Sequence, residues 1–119
     1  MKIAITSEGM TRDSLLDPRF GRAKYFQIYN DVTNIWELVD NKQNYESPQG
    51  AGIQAASTVA NKKCNIIITG HCGPKAFKAL SAAGIAIYLC ESGTVSWAIE
   101  RFKKKSLNKL QTADVEGHW

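Results

Sequence analysis

The chain has little of what holds small extracellular proteins together, with 3 cysteines and 3 prolines in 119 residues. The thiols are odd in number, and Cys64, Cys72 and Cys90 follow no repeating spacing. That argues against a disulfide framework and fits reduced side chains. Long apolar runs are also missing. The best stretches, residues 66–68 and 85–89, fall far short of the roughly 20 residues that cross a bilayer, so no membrane-spanning segment is expected. The opening MKIAITSEG turns polar before an apolar signal core can form, so the cytoplasm is the expected compartment. Acidic residues are the minority, 11 against 15 Lys and Arg, for a net charge of +4. That balance favours acidic partners in general without naming one. Part of the excess is Lys103, Lys104 and Lys105, which read as a solvated helix end complementing the negative pole of the helix dipole. The basic residues are not interleaved with aromatics that could stack bases, so nucleic acid is disfavoured.

What is present is the composition of an ordinary globular domain, 44% hydrophobic and 22% charged. At this length a fold buries roughly two-thirds of its unfolded surface, so no metal is needed for folding and any metal would serve function. Alternation around Ile3 and Ile5 predicts a first strand over residues 2–6. Residues 25–29 and 35–39 are β-rich runs joined by a short polar segment, which predicts a hairpin. A helical pattern begins at Gly50 and places Ile53, Ala56, Val59 and Ala60 on one face. Residues 65–69 form a short apolar run with a β-branched centre, expected as a strand buried on both faces. Gly73-Pro74 opens a second helix that Gly84 stops, residues 85–89 form another strand, and a third helix follows Ser92-Gly93-Thr94 with Val95, Ala98, Ile99 and Phe102 inward. The order β-β-β-α-β-α-β-α predicts an α/β domain over residues 1–105, a mixed five-stranded sheet with helices on both faces. Residues 106–119 read as a C-terminal tail without clear period.

Ligands of open α/β sheets sit beyond the carboxyl ends of the parallel strands, a rim expected here to collect residues 7–9, 70–74 and 90–94. Three helices start at small-residue loops: Gly50, Ala51 and Gly52; Gly70 and Gly73; and Ser92, Gly93 and Thr94. Free N–H groups at a helix start can hold an anion, although the same residues can simply turn and cap the chain. No Walker A or dinucleotide fingerprint occurs at these junctions. The loop DPRFGR sets Arg19 and Arg22 around Phe20 and Gly21. Its forked donors suit an oxyanion or a sulfur-rich anion, or Asp17 and Arg19 pair and make the loop purely structural. His71 and Cys72 lie between Gly70 and Gly73, and a thiolate with an imidazole suits iron, copper or zinc. Without a Cys-x-x-Cys pair a closed four-ligand zinc site is not expected. Cys64 and Cys90 read as small packing side chains. No G-x-S-x-G elbow occurs and no acid-base partner accompanies the two histidines, so nothing marks a catalytic machine.

Taken together, residues 3–7 (IAITS), 17–22 (DPRFGR), 50–56 (GAGIQAA), 69–70 with 73–80 (TG and GPKAFKAL) and 115–119 (VEGHW) resemble the dinitrogenase iron-molybdenum cofactor-binding family, the NifX-like domains. The resemblance implies a three-layer ribonuclease H-like fold. It also implies non-enzymatic binding or carriage of an anionic metal-sulfur cluster, iron-molybdenum cofactor-like or iron-sulfur, in cofactor biosynthesis, with cluster-assembly proteins as partners. On that basis the glycine loops, Arg19, Arg22 and Lys75 would surround the cluster. Cys72, His71 and, at the chain end, His118 would be the candidate metal ligands. The competing expectations are a small enzyme for phosphorylated ligands and a regulatory protein-interaction domain.

Overall fold

The computed structural model describes residues 1–42 and 50–111. The strands are β1 (Lys2–Ser7), β2 (Tyr25–Asn30), β3 (Ile35–Asp40), β4 (Ile66–Thr69), β5 (Ala86–Leu89) and β6 (Asn108–Lys109). The helices are α1 (Ala51–Asn61), α2 (Pro74–Ala82) and α3 (Val95–Lys103). The strands form one mixed sheet in the order β3-β2-β1-β4-β5-β6. β1, β4 and β5 are mutually parallel, whereas β2, β3 and β6 pair antiparallel with their neighbours.

The sheet has six strands rather than the five expected. The addition comes from the stretch read as tail, where Asn108 and Lys109 pair with Leu89 and Tyr88. Two residues are too few to carry a period, which is why composition alone hid them.

Alternation along the strands decides the layers. Ala4, Phe26, Ile28, Ile67 and Ile87 face one side, where Ala55, Ala56 and Val59 of α1 and Ala76 and Leu80 of α2 cover them. Ile3, Ile5, Ile66 and Ile68 face the other, under Val95, Ala98 and Ile99 of α3. The result is three layers. Every residue of β4 is buried, as a central parallel strand covered on both faces requires.

The predicted hairpin is also present. Asn30 Oδ1 accepts from the N–H groups of Val32 and Thr33 at 2.9 and 3.3 Å. Asn34 closes the turn at φ 60°, a left-handed conformation that asparagine tolerates. Because β1, β4 and β5 are parallel, their carboxyl ends share one rim, and Ser7, Gly70 and Cys90 emerge there. This rim is the place to look for a ligand.

Candidate functional site

The rim begins with a loop that the sheet itself holds down. Gln27 on β2 is fully buried. Its Nε2 lies 2.7 Å from Thr11 O, 3.1 Å from Gly9 O and 2.9 Å from Ser7 Oγ, while its Oε1 accepts from Arg12 Nη1 at 3.0 Å. The chain then crosses the carboxyl edge. Leu16 N donates to Gly93 O at 2.9 Å, Asp17 N to Thr6 O at 3.0 Å and Val95 N to Ser14 O at 2.9 Å. Next it runs beside the end of β4, with His71 N donating to Pro18 O at 2.7 Å and Phe20 N to His71 O at 3.3 Å. The segment from Ser14 to Phe20 thus ties together the end of β1, the loop at His71 and the loop at Gly93.

Convergence does not make one open pocket, because the rim divides into a packed half and an open half. In the packed half Phe20 is buried against Phe26, ring centroids 5.7 Å apart. A Cβ on Gly21 would stand 2.7 Å from Gly52 N and 2.8 Å from Gly52 Cα, and one on Gly70 would stand 2.7 Å from Pro18 Cα. These glycines admit another stretch of the same chain. Gly50 has φ 77° and turns the chain into α1 without a side-chain cap. Gly73 precedes Pro74 at the start of α2, and Lys75 stands exposed just inside that helix.

Cys72 belongs to this half as well. Its side chain is 0% exposed in the core shared with α1 and α2, and its thiol donates to Gly73 O at 3.7 Å. Cys72, expected as a candidate metal ligand at the rim, has its side chain in the core. Where β4 ends, its direction turns the thiol inward among apolar side chains, while the preceding His71 faces the opening. Phe20 is likewise a core side chain. Arg19 is exposed on the surface, its backbone N–H bonded to Asp17 Oδ1 at 3.1 Å and its Nε 3.7 Å from the same oxygen. The pairing with Asp17 therefore exists. Arg22 is half-buried. His118 lies outside the described residues.

The open half is a cleft of about 450 Å³ between the ends of β4 and β5 and the outer side of α3, bounded by Gly70, His71, Cys90, Ser92, Trp97 and Arg101. Glu91 and the chain from Ser106 to Asn108 complete it. Gly93 and Thr94 stand behind this wall. Thr94 caps α3, its Oγ1 accepting from Trp97 N at 3.1 Å. Of the residues proposed from sequence, Gly70, His71 and Ser92 reach the cleft. Cys90, Trp97 and Arg101 were missed. A signal for two of them was available, since placing Val95, Ala98, Ile99 and Phe102 inward leaves positions 97 and 101, four apart, sharing another face.

The cleft sets the charged side chains Glu91 and Arg101 beside His71 and Cys90. Burial pushes the Cys90 thiol above its ordinary value, a backbone hydrogen bond at Ser92 and then the positive charge of Arg101 pull it back, and Glu91 pushes it further up. Cys64, buried far from the rim, is pushed up to about 11 by the same desolvation and serves packing. Among the described residues no group of three or more His, Cys, Asp or Glu side chains could hold a metal ion. No described helix is long and apolar enough to cross a membrane.

This architecture recurs in other proteins. The apo form of the orange protein from Desulfovibrio gigas superimposes with a TM-score of 0.92 at 39% identity, with 96% of each chain covered. A Thermotoga protein solved by NMR under a provisional NifB label gives a TM-score of 0.86 at 34% identity over 98% of each chain. An uncharacterized protein of Methanocaldococcus jannaschii is 30% identical over 114 residues, 93% of this chain and 92% of its own. The family model described as dinitrogenase iron-molybdenum cofactor matches residues 1–105. On that match, which spans five of the six strands and all three helices, the chain belongs to the dinitrogenase iron-molybdenum cofactor family.

Proposed function

We propose that the protein is a non-catalytic carrier for an anionic metal-sulfur cluster, which it takes from and passes to cluster-assembly proteins in the cytoplasm. Family membership supports a cofactor-binding or carrier role in general, and one similar structure is of an apo form, a description that presupposes a ligand-bound one. The observation that carries the reading is the cleft of about 450 Å³ at the carboxyl rim, with a guanidinium and an imidazole on its border. That volume admits a compact inorganic cluster.

The donor set fits a cluster held mainly by charge. Arg101 offers forked donors to bridging or terminal sulfide. The imidazole of His71 is the accessible direct donor. Arg19 and Lys75 add positive potential from the flanks, and Glu91 opposes it. Cys72, enclosed in the core, contributes packing and no bond to the cargo. In this reading the site holds and releases its cargo.

Anaerobic reconstitution with ferrous iron, molybdate and sulfide, followed by metal and sulfide analysis and visible absorption, tests this. Wild-type protein is expected to retain a coloured cluster, Cys72→Ala to retain it equally, and Arg101→Ala with His71→Ala to lose it. Wild-type protein that emerges without metal and sulfide overturns the reading. So does a cluster that survives the double substitution but is lost in Cys72→Ala.

A further inference from the structure

Gly93, Trp97 and Arg101 are spaced four residues apart along the start and first turns of α3, and they form a stack. Gly93 has φ 105°, and a Cβ there would overlap Trp97 Cδ1 and stand 2.9 Å from Cγ, so the indole lies directly on the glycine backbone. The guanidinium carbon of Arg101 sits 5.3 Å from the Trp97 ring centroid on the next turn. Trp97 is nonetheless 51% exposed, so apolar burial does not account for its position. Both residues border the cleft. The helix backbone at Arg101 is tied down as well, with Ser106 N and Oγ each donating to Arg101 O at 3.0 Å.

The geometry points to Trp97 as a positioning residue that fixes the Arg101 guanidinium over the cleft, with Gly93 as the seat for its ring. An arginine on a helix surface otherwise samples many rotamers and gives up that freedom on gripping an anion. Stacked on an indole it keeps its charge, loses much of that freedom beforehand and still turns its N–H edge to a ligand. This inference rests on the carrier reading, since it assigns Arg101 the grip on the anionic cargo.

The test is cluster retention through gel filtration at rising sodium chloride, on protein reconstituted anaerobically with iron, molybdate and sulfide. Four chains are compared with wild type: Trp97→Ala, Trp97→Phe, Arg101→Ala and the Trp97→Ala/Arg101→Ala double. Trp97→Ala is expected to weaken retention about two- to fivefold, the range of an exposed cation–π contact, and Trp97→Phe to restore most of it. Arg101→Ala is expected to cost about tenfold or more. In its presence Trp97→Ala adds no further loss, because the ring acts only through the guanidinium. Equal retention by Trp97→Ala and wild type overturns the inference, as does a Trp97→Ala loss that persists undiminished without Arg101. In both cases the carrier reading stands. Failure of wild-type protein to hold a cluster removes the carrier reading and this inference together.

Discussion

The two halves of the carboxyl rim start from similar sequence and end as opposites. Around α1 and α2, Gly21, Gly52 and Gly73 accompany a buried Phe20 and a buried Cys72. Around α3, Gly93 and Ser92 accompany a half-exposed Trp97 and a cleft. In the first half the missing Cβ atoms let one backbone approach another, as Gly21 does at Gly52. In the second the missing Cβ seats an aromatic ring that borders open space. A glycine-rich helix start thus states only that something comes close. Whether the visitor is the chain or a ligand depends on whether a neighbouring loop already occupies the place, and here the DPRFGR loop occupies it on one side only.

If that contrast holds, stability resides in the packed half. The largest effect is expected from Phe20→Ala, which empties a fully enclosed site against Phe26 and costs about 3–5 kcal/mol in denaturant unfolding. Gly21→Ala follows, at about 1–3 kcal/mol, because the new methyl meets the Gly52 backbone rather than a movable side chain. A Gly21→Ala protein as stable as wild type shows that the two backbones part easily, and the packed half then becomes a candidate pocket after all.

The same contrast explains what could be read from the residues alone. Element order, the three layers and the doubly buried β4 follow from periodicity, because strands and helices of this length repeat their pattern several times. Side-chain direction at the ends of elements does not repeat. Cys72 sits three residues beyond Thr69, in irregular backbone where no alternation fixes inside and outside. It faces the core, whereas His71 faces the cleft. Cys90, just past β5, packs into the core under α3 at 4% exposure, as read, and borders the opening as well. Trp97 and Arg101 lay on a helix whose inward face was correctly drawn, and the outward face went unread because exposed positions usually carry no message. β6 was hidden by its two-residue length.

On the open half, smaller consequences for folding are expected. Thr94→Ala removes the hydroxyl that accepts from Trp97 N, and calorimetric or denaturant unfolding should register about 1 kcal/mol, the usual value of a helix cap. A loss several times larger means that α3 depends on more than its cap and that the open half shares the structural burden.

Arg101→Ala is expected to leave unfolding within about 0.5 kcal/mol of wild type, the range for surface substitutions outside caps and cores, even though it abolishes most cluster retention. Its trace appears instead at Cys90. Burial raises that thiol's pKa and Arg101 opposes the rise by stabilising the thiolate, so removing the guanidinium moves the pKa further up. Alkylation of Cys90 requires the thiolate. Its rate in the Arg101→Ala protein therefore reaches half-maximum at higher pH than in wild type, followed in a Cys64→Ala/Cys72→Ala background that leaves one thiol. An unchanged profile means that Arg101 does not project its charge into the cleft, and the assignment of Arg101 as the grip on an anion in the open half then fails.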